Sequence, residues 1–391
     1  MLFPQFLEEA LTKRRAQQRY RARRIMHGAQ GVEVSLDDGR AAINFCSNDY
    51  LGLANDSALR EALVATQHDC GVGSGASHLV CGHSTEHQAL EEELAAFCGR
   101  ERALIFSTGY MANLGIIQAL IGRDDEIFED KLNHASLLDA ALLSRAIRSR
   151  YRHVDMTHLE QRLARSTARL KLIVSDGIFS MDGDAAPLNA LADLAEAYGA
   201  WLMVDDAHGF GSEGLHGAGL QQHFGLDQAR LPVLVGTLSK AFGCFGAFVA
   251  GSEALIEYLL QFARPYIYTT AMPPALAAAA REALRCVVRD NWRRERLHAN
   301  ITLFRELATE HNLPLMPSRS AIQPLIIGDD ASALRYSQRL FDAGFWVSAI
   351  RPPTVPEGTA RLRITLSANH RAEQVRALVE ACVSIRAESA S

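Results

Sequence analysis

The sequence predicts an α/β protein with a second, smaller α+β domain toward its C-terminus, and three observations carry that expectation. Between about residue 84 and residue 270, short and wholly apolar runs alternate with helix-like stretches. Runs too short for helices and too apolar for half-exposed strands suit the buried strands of a parallel or mixed sheet. Pro273-Pro274 then opens a long alanine-rich helix, and beyond about residue 310 the order becomes β-α-β-β-α. With 391 residues and 48% hydrophobic content, the chain has core enough for two domains.

Each element has its own signal. Phe3, Phe6, Leu7, Ala10 and Leu11 recur at helical spacing, which predicts an amphipathic first helix docked on the body. In residues 32–46, Val32, Val34 and Leu36 alternate with polar residues, Asp38-Gly39 supplies a turn, and residues 43–45 return as a strand. A helix is expected over 85–98, with Gln88 placed to complete a capping box. The buried strands are expected at 103–106, 172–174, 201–204, 231–235 and 247–250, with helices at 112–120 and 188–198 among them. The charged stretch 291–296 reads as an exposed link between domains, followed by strand 321–327, helix 331–343, strands 345–350 and 360–366, and helix 371–386. The expected division is an N-terminal helix and hairpin at 1–46, a large domain at 47–285 and a small C-terminal domain at 286–391.

Composition narrows the function. A net charge of −5 and a pI near 6.3 argue against a general nucleic-acid or membrane-surface binder. One local exception is the basic cluster Lys13, Arg14, Arg15, Arg19, Arg21, Arg23 and Arg24, either a solvated helix face or an attractor for an anionic substrate. Seven scattered cysteines without a C-x-x-C pair fit reduced thiols in a cytoplasmic protein. No stretch approaches the roughly 20 apolar residues that span a bilayer, and the N-terminus lacks a signal-peptide core.

The chemistry is concentrated after the predicted strands. Lys240, in Thr237-Leu-Ser-Lys240-Ala-Phe-Gly243, is set among apolar residues. It reads either as a surface lysine at a strand end or as an amine kept partly neutral to form a Schiff base with a carbonyl. Asp205, Asp206 and His208 end another apolar strand, at the sheet edge where α/β proteins bind ligands. Ser107-Thr-Gly109-Tyr110 joins a strand to a helix, which makes either an ordinary turn or a phosphate site at a helix N-terminus. The segment 71–78 concentrates three glycines, and 176–184 carries the hydroxyl of Ser180. Arg361 and Arg363 alternate on one strand and so share a face, an arginine fork suited to a carboxylate. Gly209-Phe-Gly211-Ser-Glu-Gly214 matches a dinucleotide-binding pattern, but no helix follows and it reads as a flexible loop. His83-Ser-Thr-Glu-His87 matches an inverted zinc-peptidase pattern. Ser84 and Thr85 look like N-cap residues, so His83 precedes the helix, and no metal site is expected.

A phosphate site, an acid at a strand end, a candidate Schiff-base lysine and a carboxylate-binding arginine are what a pyridoxal-phosphate enzyme acting on an amino acid requires. Ser47-Asn-Asp-Tyr-Leu-Gly52, the glycine segment, Asn133-His-Ala-Ser136, the segment 176–184, Val204-Asp-Asp-Ala-His-Gly209 and Thr237-Leu-Ser-Lys240 together resemble the α-oxoamine synthases. The resemblance covers nearly the whole chain. It implies the fold-type I, aspartate-aminotransferase-like transferase architecture, a mixed, mostly parallel seven-stranded sheet between helices. It implies pyridoxal 5'-phosphate as cofactor, with Lys240, His134 and Asp205 catalytic. By position, Asp205 would pair with the pyridine nitrogen, His134 would stack on the ring, and His208 and Ser180 would bond its phenolic oxygen side. Gly109, Tyr110 and Thr237 would surround the phosphate. Arg361 would take the amino-acid carboxylate with Asn48 nearby, while Arg21 and Thr354 would contact the acyl substrate. Thr269 or Thr270 would reach a neighbouring subunit's phosphate, since the family's sites lie at a homodimer interface. Ala349-Ile-Arg-Pro-Pro-Thr-Val-Pro356 looks most like the biotin-pathway members, which implies L-alanine and a pimeloyl thioester, carried by CoA or acyl carrier protein. The alternative is a sibling such as glycine C-acetyltransferase. Many members of the wider family have arginine where this chain has His78.

Overall fold

The computed structural model describes residues 2–390, and its backbone gathers into two compact units. The larger comprises residues 49–180 and 184–295. The smaller takes the chain up to Asn48, residues 181–183, and the chain from Arg296 onward.

Seven strands organise the larger unit: β1 (Arg102–Phe106), β2 (Glu126–Asp130), β3 (Ile147–Tyr151), β4 (Lys171–Asp176), β5 (Trp201–Asp205), β6 (Val233–Thr237) and β7 (Ala247–Gly251). They lie in the order β1-β7-β6-β5-β4-β2-β3. β7 is antiparallel to both neighbours and the other pairings are parallel, so every strand except β7 points its carboxyl end to one edge. Five of these strands are the apolar runs expected from the sequence. β2 and β3 are not, because their residues are polar. Glu126-Ile-Phe-Glu-Asp130 is nonetheless buried along its whole length. Its acids find donors on neighbouring elements, Glu126 from the hydroxyls of Ser149 and Ser166 and Glu129 from Arg148 at 2.7 Å. A buried carboxylate is tolerated when so partnered.

Helices α1 (Gly109–Leu120) and α2 (Ala135–Ser144) follow β1 and β2. They contribute Ile116, Ile117, Leu137 and Ala140 to a core with Leu104, Ile127, Val174, Val235 and Val249. Each fully buried aliphatic side chain contributes about 1.5–3 kcal/mol, which fixes the helices to the sheet whose edge they serve.

Several local expectations change. The capping box at the helix Thr85–Cys98 is completed by His87, whose Nδ1 accepts from the Ser84 N–H, and not by Gln88. The helix opened by Pro274 ends at Arg289, and a second runs from Asn291 to Glu310. Its charged start is exposed only in part, with Glu295 and Arg296 exposed and Arg293 and Arg294 buried. Arg293 is buried, pairs with Asp56 at 2.6 Å and donates to the Leu51 carbonyl at 3.0 Å. The glycine-rich stretch after β5 is a tightly packed turn, because a Cβ at Gly209 or Gly219 would fall 2.3 or 2.0 Å from an Asp206 carboxylate oxygen.

In the smaller unit, Glu33–Leu36 and Ala41–Asn44 form the expected hairpin, flanked by Met26–His27 and by Phe345–Trp346, which pairs parallel to Ala41–Asn44. β8 (Ile322–Gly328), β9 (Ser348–Ile350) and β10 (Ala360–Thr365) make an antiparallel sheet with β10 in the middle. The single strand expected at 345–350 is therefore split, its halves serving different sheets. The first helix, Leu2–Ala16, forms but does not dock. Leu2, Phe3, Phe6, Leu7 and Leu11 are all exposed. Among the described residues, no helix is long and apolar enough to cross a membrane.

Candidate active site

The edge where the carboxyl ends of β1, β2, β4, β5 and β6 meet collects the larger unit's expected residues. Asp205 is the last residue of β5 and is buried. Its Oδ2 accepts from Asn113 Nδ2 at 2.6 Å, and its Oδ1 accepts from the Ala207 N–H at 3.1 Å. Asn113, on α1, also donates to Ser136 Oγ at 2.9 Å, and Ser136 Oγ lies 2.7 Å from His134 Nδ1. Because Ser136 Oγ accepts from the amide, its own proton goes to His134 Nδ1, which also accepts from the Ser136 N–H at 3.3 Å. His134 is thus a neutral imidazole with its proton on Nε2. Burial pushes it below its ordinary pKa, with the Asp205 charge opposing and Lys240 adding. Those two charges act on one ring, which puts Asp205, Lys240 and His134 in one neighbourhood.

Asp176 belongs to the same cluster. It ends β4 in register with Asp205, and its Oδ2 accepts from the His134 N–H at 2.5 Å. Burial first, then the Asp205 charge, raise its carboxyl well above the usual range.

Lys240 is half-buried in the turn after β6. The turn is closed by bonds from Leu238 N to Gly246 O at 2.9 Å and from Gly243 N to Lys240 O at 2.9 Å. Gly243 has φ 64°, and a Cβ there would lie 2.3 Å from the Ala54 nitrogen, so only glycine fits. Thr237 Oγ1 meets Ser239 Oγ at 2.8 Å and the Gly246 carbonyl at 3.1 Å. His208 is buried beyond β5, its Nδ1 2.5 Å from the hydroxyl of Tyr50. Ser180 is half-buried on the loop after β4.

Gly109 and Tyr110 open α1, capped by Thr108, whose Oγ1 accepts from Met111 N at 3.2 Å. Among the described residues, neither the Gly109 nor the Tyr110 N–H donates to a protein acceptor. Two orphan donors at the positive end of a helix suit a phosphate. With an amine, an oriented carboxylate and a flat neutral imidazole at the same edge, the residues present fit pyridoxal 5'-phosphate.

Comparison with known proteins decides the family. The model of the class I and II aminotransferases matches residues 40–382. The 8-amino-7-oxononanoate synthase of Saccharophagus degradans is 57% identical over 98% of this chain and 96% of its own length. That of Methylococcus capsulatus is 59% identical over 95% and 96%. The chain belongs to the 8-amino-7-oxononanoate synthase family, within the class I and II aminotransferases. Among solved structures, Sphingomonas wittichii serine palmitoyltransferase matches with a TM-score of 0.93 at 33% identity over 99% of this chain and 98% of its own. The 8-amino-7-oxononanoate synthase of Francisella tularensis matches at 0.78 and 35% over 90% and 99%. As a member of this family the chain is a pyridoxal-phosphate-dependent acyltransferase of fold type I, and the seven-stranded sheet is that fold's.

The remaining expected residues lie in the smaller unit. Arg21 and Thr354 are exposed. Arg351 links them: the Thr354 N–H donates to its carbonyl at 3.1 Å, its guanidinium meets the Gln18 carbonyl, and the Arg21 charge bears on it. Arg19 pairs with Glu357 at 2.6 Å and Asp330 at 3.3 Å. Two segments over 300 residues apart are so tied together.

Arg361 and Asn48 each have a partner within the smaller unit. Arg361 is buried, pairs with Asp182 at 2.7 Å and donates to the Met181 and Thr359 carbonyls. Asn48 accepts from Arg363 Nη2 at 3.1 Å. The arginine beside Asn48 is Arg363.

Among residues that sequence reasoning passed over, Asn113 carried no motif, and Asp176 opened the segment 176–184 without a role of its own. Tyr50 stood inside Asn-Asp-Tyr-Leu-Gly without a role. His78 supplies a third ring beside His83 and His87. Yet His87 spends both nitrogens, accepting from Ser84 N–H and donating to the Met272 carbonyl at 2.7 Å. The cluster therefore braces the glycine segment against residue 272.

Proposed function

We propose that the chain condenses L-alanine with a pimeloyl thioester to give 8-amino-7-oxononanoate, releasing CO2 and the free thiol of the carrier. The observation that carries the residue assignment is the bonded chain Asp205–Asn113–Ser136–His134 with the Lys240 charge beside it. Pyridoxal 5'-phosphate, when bound, supplies the electron sink for negative charge at the alanine Cα. Asp205, held by two donors, presents a carboxylate for the ring nitrogen. His134 stacks as a neutral imidazole, and His208, fixed by Tyr50, bonds the phenolic oxygen side together with Ser180. The Gly109 and Tyr110 amides and the Thr237 hydroxyl take the phosphate.

Lys240 Nζ removes the alanine Cα proton and returns it to the product. The new C–C bond forms at the thioester carbonyl as the thiolate leaves, and the alanine carboxylate departs as CO2. We assign the alanine carboxylate to Arg361, with Arg363 beside it on the same strand face and Asn48 bonded to Arg363. Arg21 and Thr354 take the acyl chain. The exposed apolar face of the first helix, together with exposed Val72, Val80 and Tyr268, supports a homodimer with Thr269 or Thr270 near the partner's phosphate, and we place the enzyme in the cytoplasm. Either CoA or acyl carrier protein delivers the acyl group.

A thioester panel against glycine, alanine and serine, read by free thiol release, tests this. Turnover with alanine and a pimeloyl thioester is expected. Turnover with glycine and acetyl-CoA alone would replace the reading with the sibling activity.

A further inference from the structure

His153 lies outside every motif, yet it spans two carboxylates. Its Nδ1 is 2.9 Å from Asp130 Oδ1 and its Nε2 is 2.9 Å from Asp184 Oδ2. A neutral imidazole has one donor, and two carboxylates need two, so the ring is an imidazolium. Each anchor belongs to a loop that carries a site residue. Asp130 ends β2 and accepts from Leu132 N at 2.8 Å, two residues before His134, and from Val154 N at 2.8 Å. Asp184 closes the loop of Ser180, its carbonyl accepting from Phe179 N at 2.9 Å. The Phe179 ring meets His153 edge-on, centroids 4.5 Å apart. The backbone bends to make this possible: Val154 sits at φ 51°, a left-handed conformation costly for a β-branched residue.

We propose that His153 is a positioning residue, a charged strut that joins the loop after β2 to the loop after β4 and so fixes His134 and Ser180 relative to one another. The groups facing it are Asp130, Asp184 and the Phe179 ring. Consistent with that geometry, the two carboxylates outweigh its desolvation and push it up to about 10. Its folded value lies above its ordinary one. The strut's stabilisation is therefore complete below about pH 6.5 and lost as pH rises through about 10. The proposal rests on the reading that places His134 and Ser180 at the cofactor.

The test titrates cofactor-free wild type, His153→Ala, Asp184→Asn, His134→Ala and Ser180→Ala with pyridoxal 5'-phosphate and follows binding by absorbance. For His153→Ala and Asp184→Asn, dissociation constants are expected to rise about 10-fold and kcat to fall about 10-fold, with KM for alanine within about 2-fold. Added imidazole should restore part of the affinity of His153→Ala at pH 6.5 and none at pH 10. The difference in thermal midpoint between wild type and Asp184→Asn should close as pH rises to about 10. Asp184→Asn leaves the Asp130 contact intact and serves if His153→Ala does not fold. Wild-type affinity in both strut variants, with only a lowered midpoint, would overturn the proposal. Wild-type affinity in His134→Ala and Ser180→Ala would instead remove the reading beneath it, and the strut with it.

Discussion

The strand-end cluster of the larger unit and the residues of the smaller unit proposed to meet the acyl chain are built on opposite principles. Asp205, Asp176, His134 and His208 are buried or partly buried and held in position by bonds between 2.5 and 3.3 Å. Arg21 and Thr354 are exposed, and the ion pairs that hold their segment in place reach solvent. Charge that must be ready before the reaction is worth most where water is excluded. A surface that grips a flexible chain gains little from such rigidity, because exposed pairs contribute little. The contrast predicts that substitutions in the first region damage chemistry, and those in the second damage acyl binding.

The largest expected effect comes from Lys240→Ala. Losing the proton-transfer group lowers product formation by roughly 10²–10⁴-fold. The same variant should lose the borohydride-reducible adduct with the cofactor, measured by mass after reduction. An adduct that survives would place the reactive amine elsewhere.

Tyr50→Phe comes next. It removes the hydroxyl from His208 Nδ1 while keeping the buried ring, and partners of this kind change activity by about 10-fold. The expected loss is in kcat and cofactor affinity, with the KM for the thioester unchanged. A change confined to the thioester KM would erase the distinction between the two regions. Arg19→Ala sharpens the other side. Releasing the segment of Arg21 from Glu357 and Asp330 should raise the thioester KM roughly 2–5-fold and leave cofactor affinity alone.

Legibility in the sequence follows the same division of physics. β1 and β4 to β7 were readable because burial on both faces demands apolar runs, and Lys240, Asp205 and His208 stood out as polar residues ending such runs. β2 was not readable, since its burial depends on pairings such as Glu129 with Arg148 that bring together residues of different elements, and neither was β3, a polar and mostly exposed edge strand. Asn113 was hidden for the same reason as β2. An amide on one helix matters only because β5 and α2 come to it. The alternation of Arg361 and Arg363 was visible, but their partners were not: Asp182 for Arg361, 179 positions away, and Asn48 for Arg363. The first helix was legible in its period and not in its packing, because its apolar residues find no cover within the chain.

The smallest expected effect concerns stability. Val154 is the β-branched member of the four described non-glycine residues at positive φ, and its half-buried side chain offers little packing to set against that conformation. Asparagine adopts the left-handed region more readily. Val154→Asn keeps the backbone N–H that donates to Asp130, so the turn is retained while strain of about 1–2 kcal/mol is relieved. Thermal unfolding should therefore move up by about 1–2.5 °C. A lower midpoint would mean that the valine methyls contribute more than the backbone conformation costs. The turn at His153 would then owe its shape to packing, not to the carboxylate of Asp130.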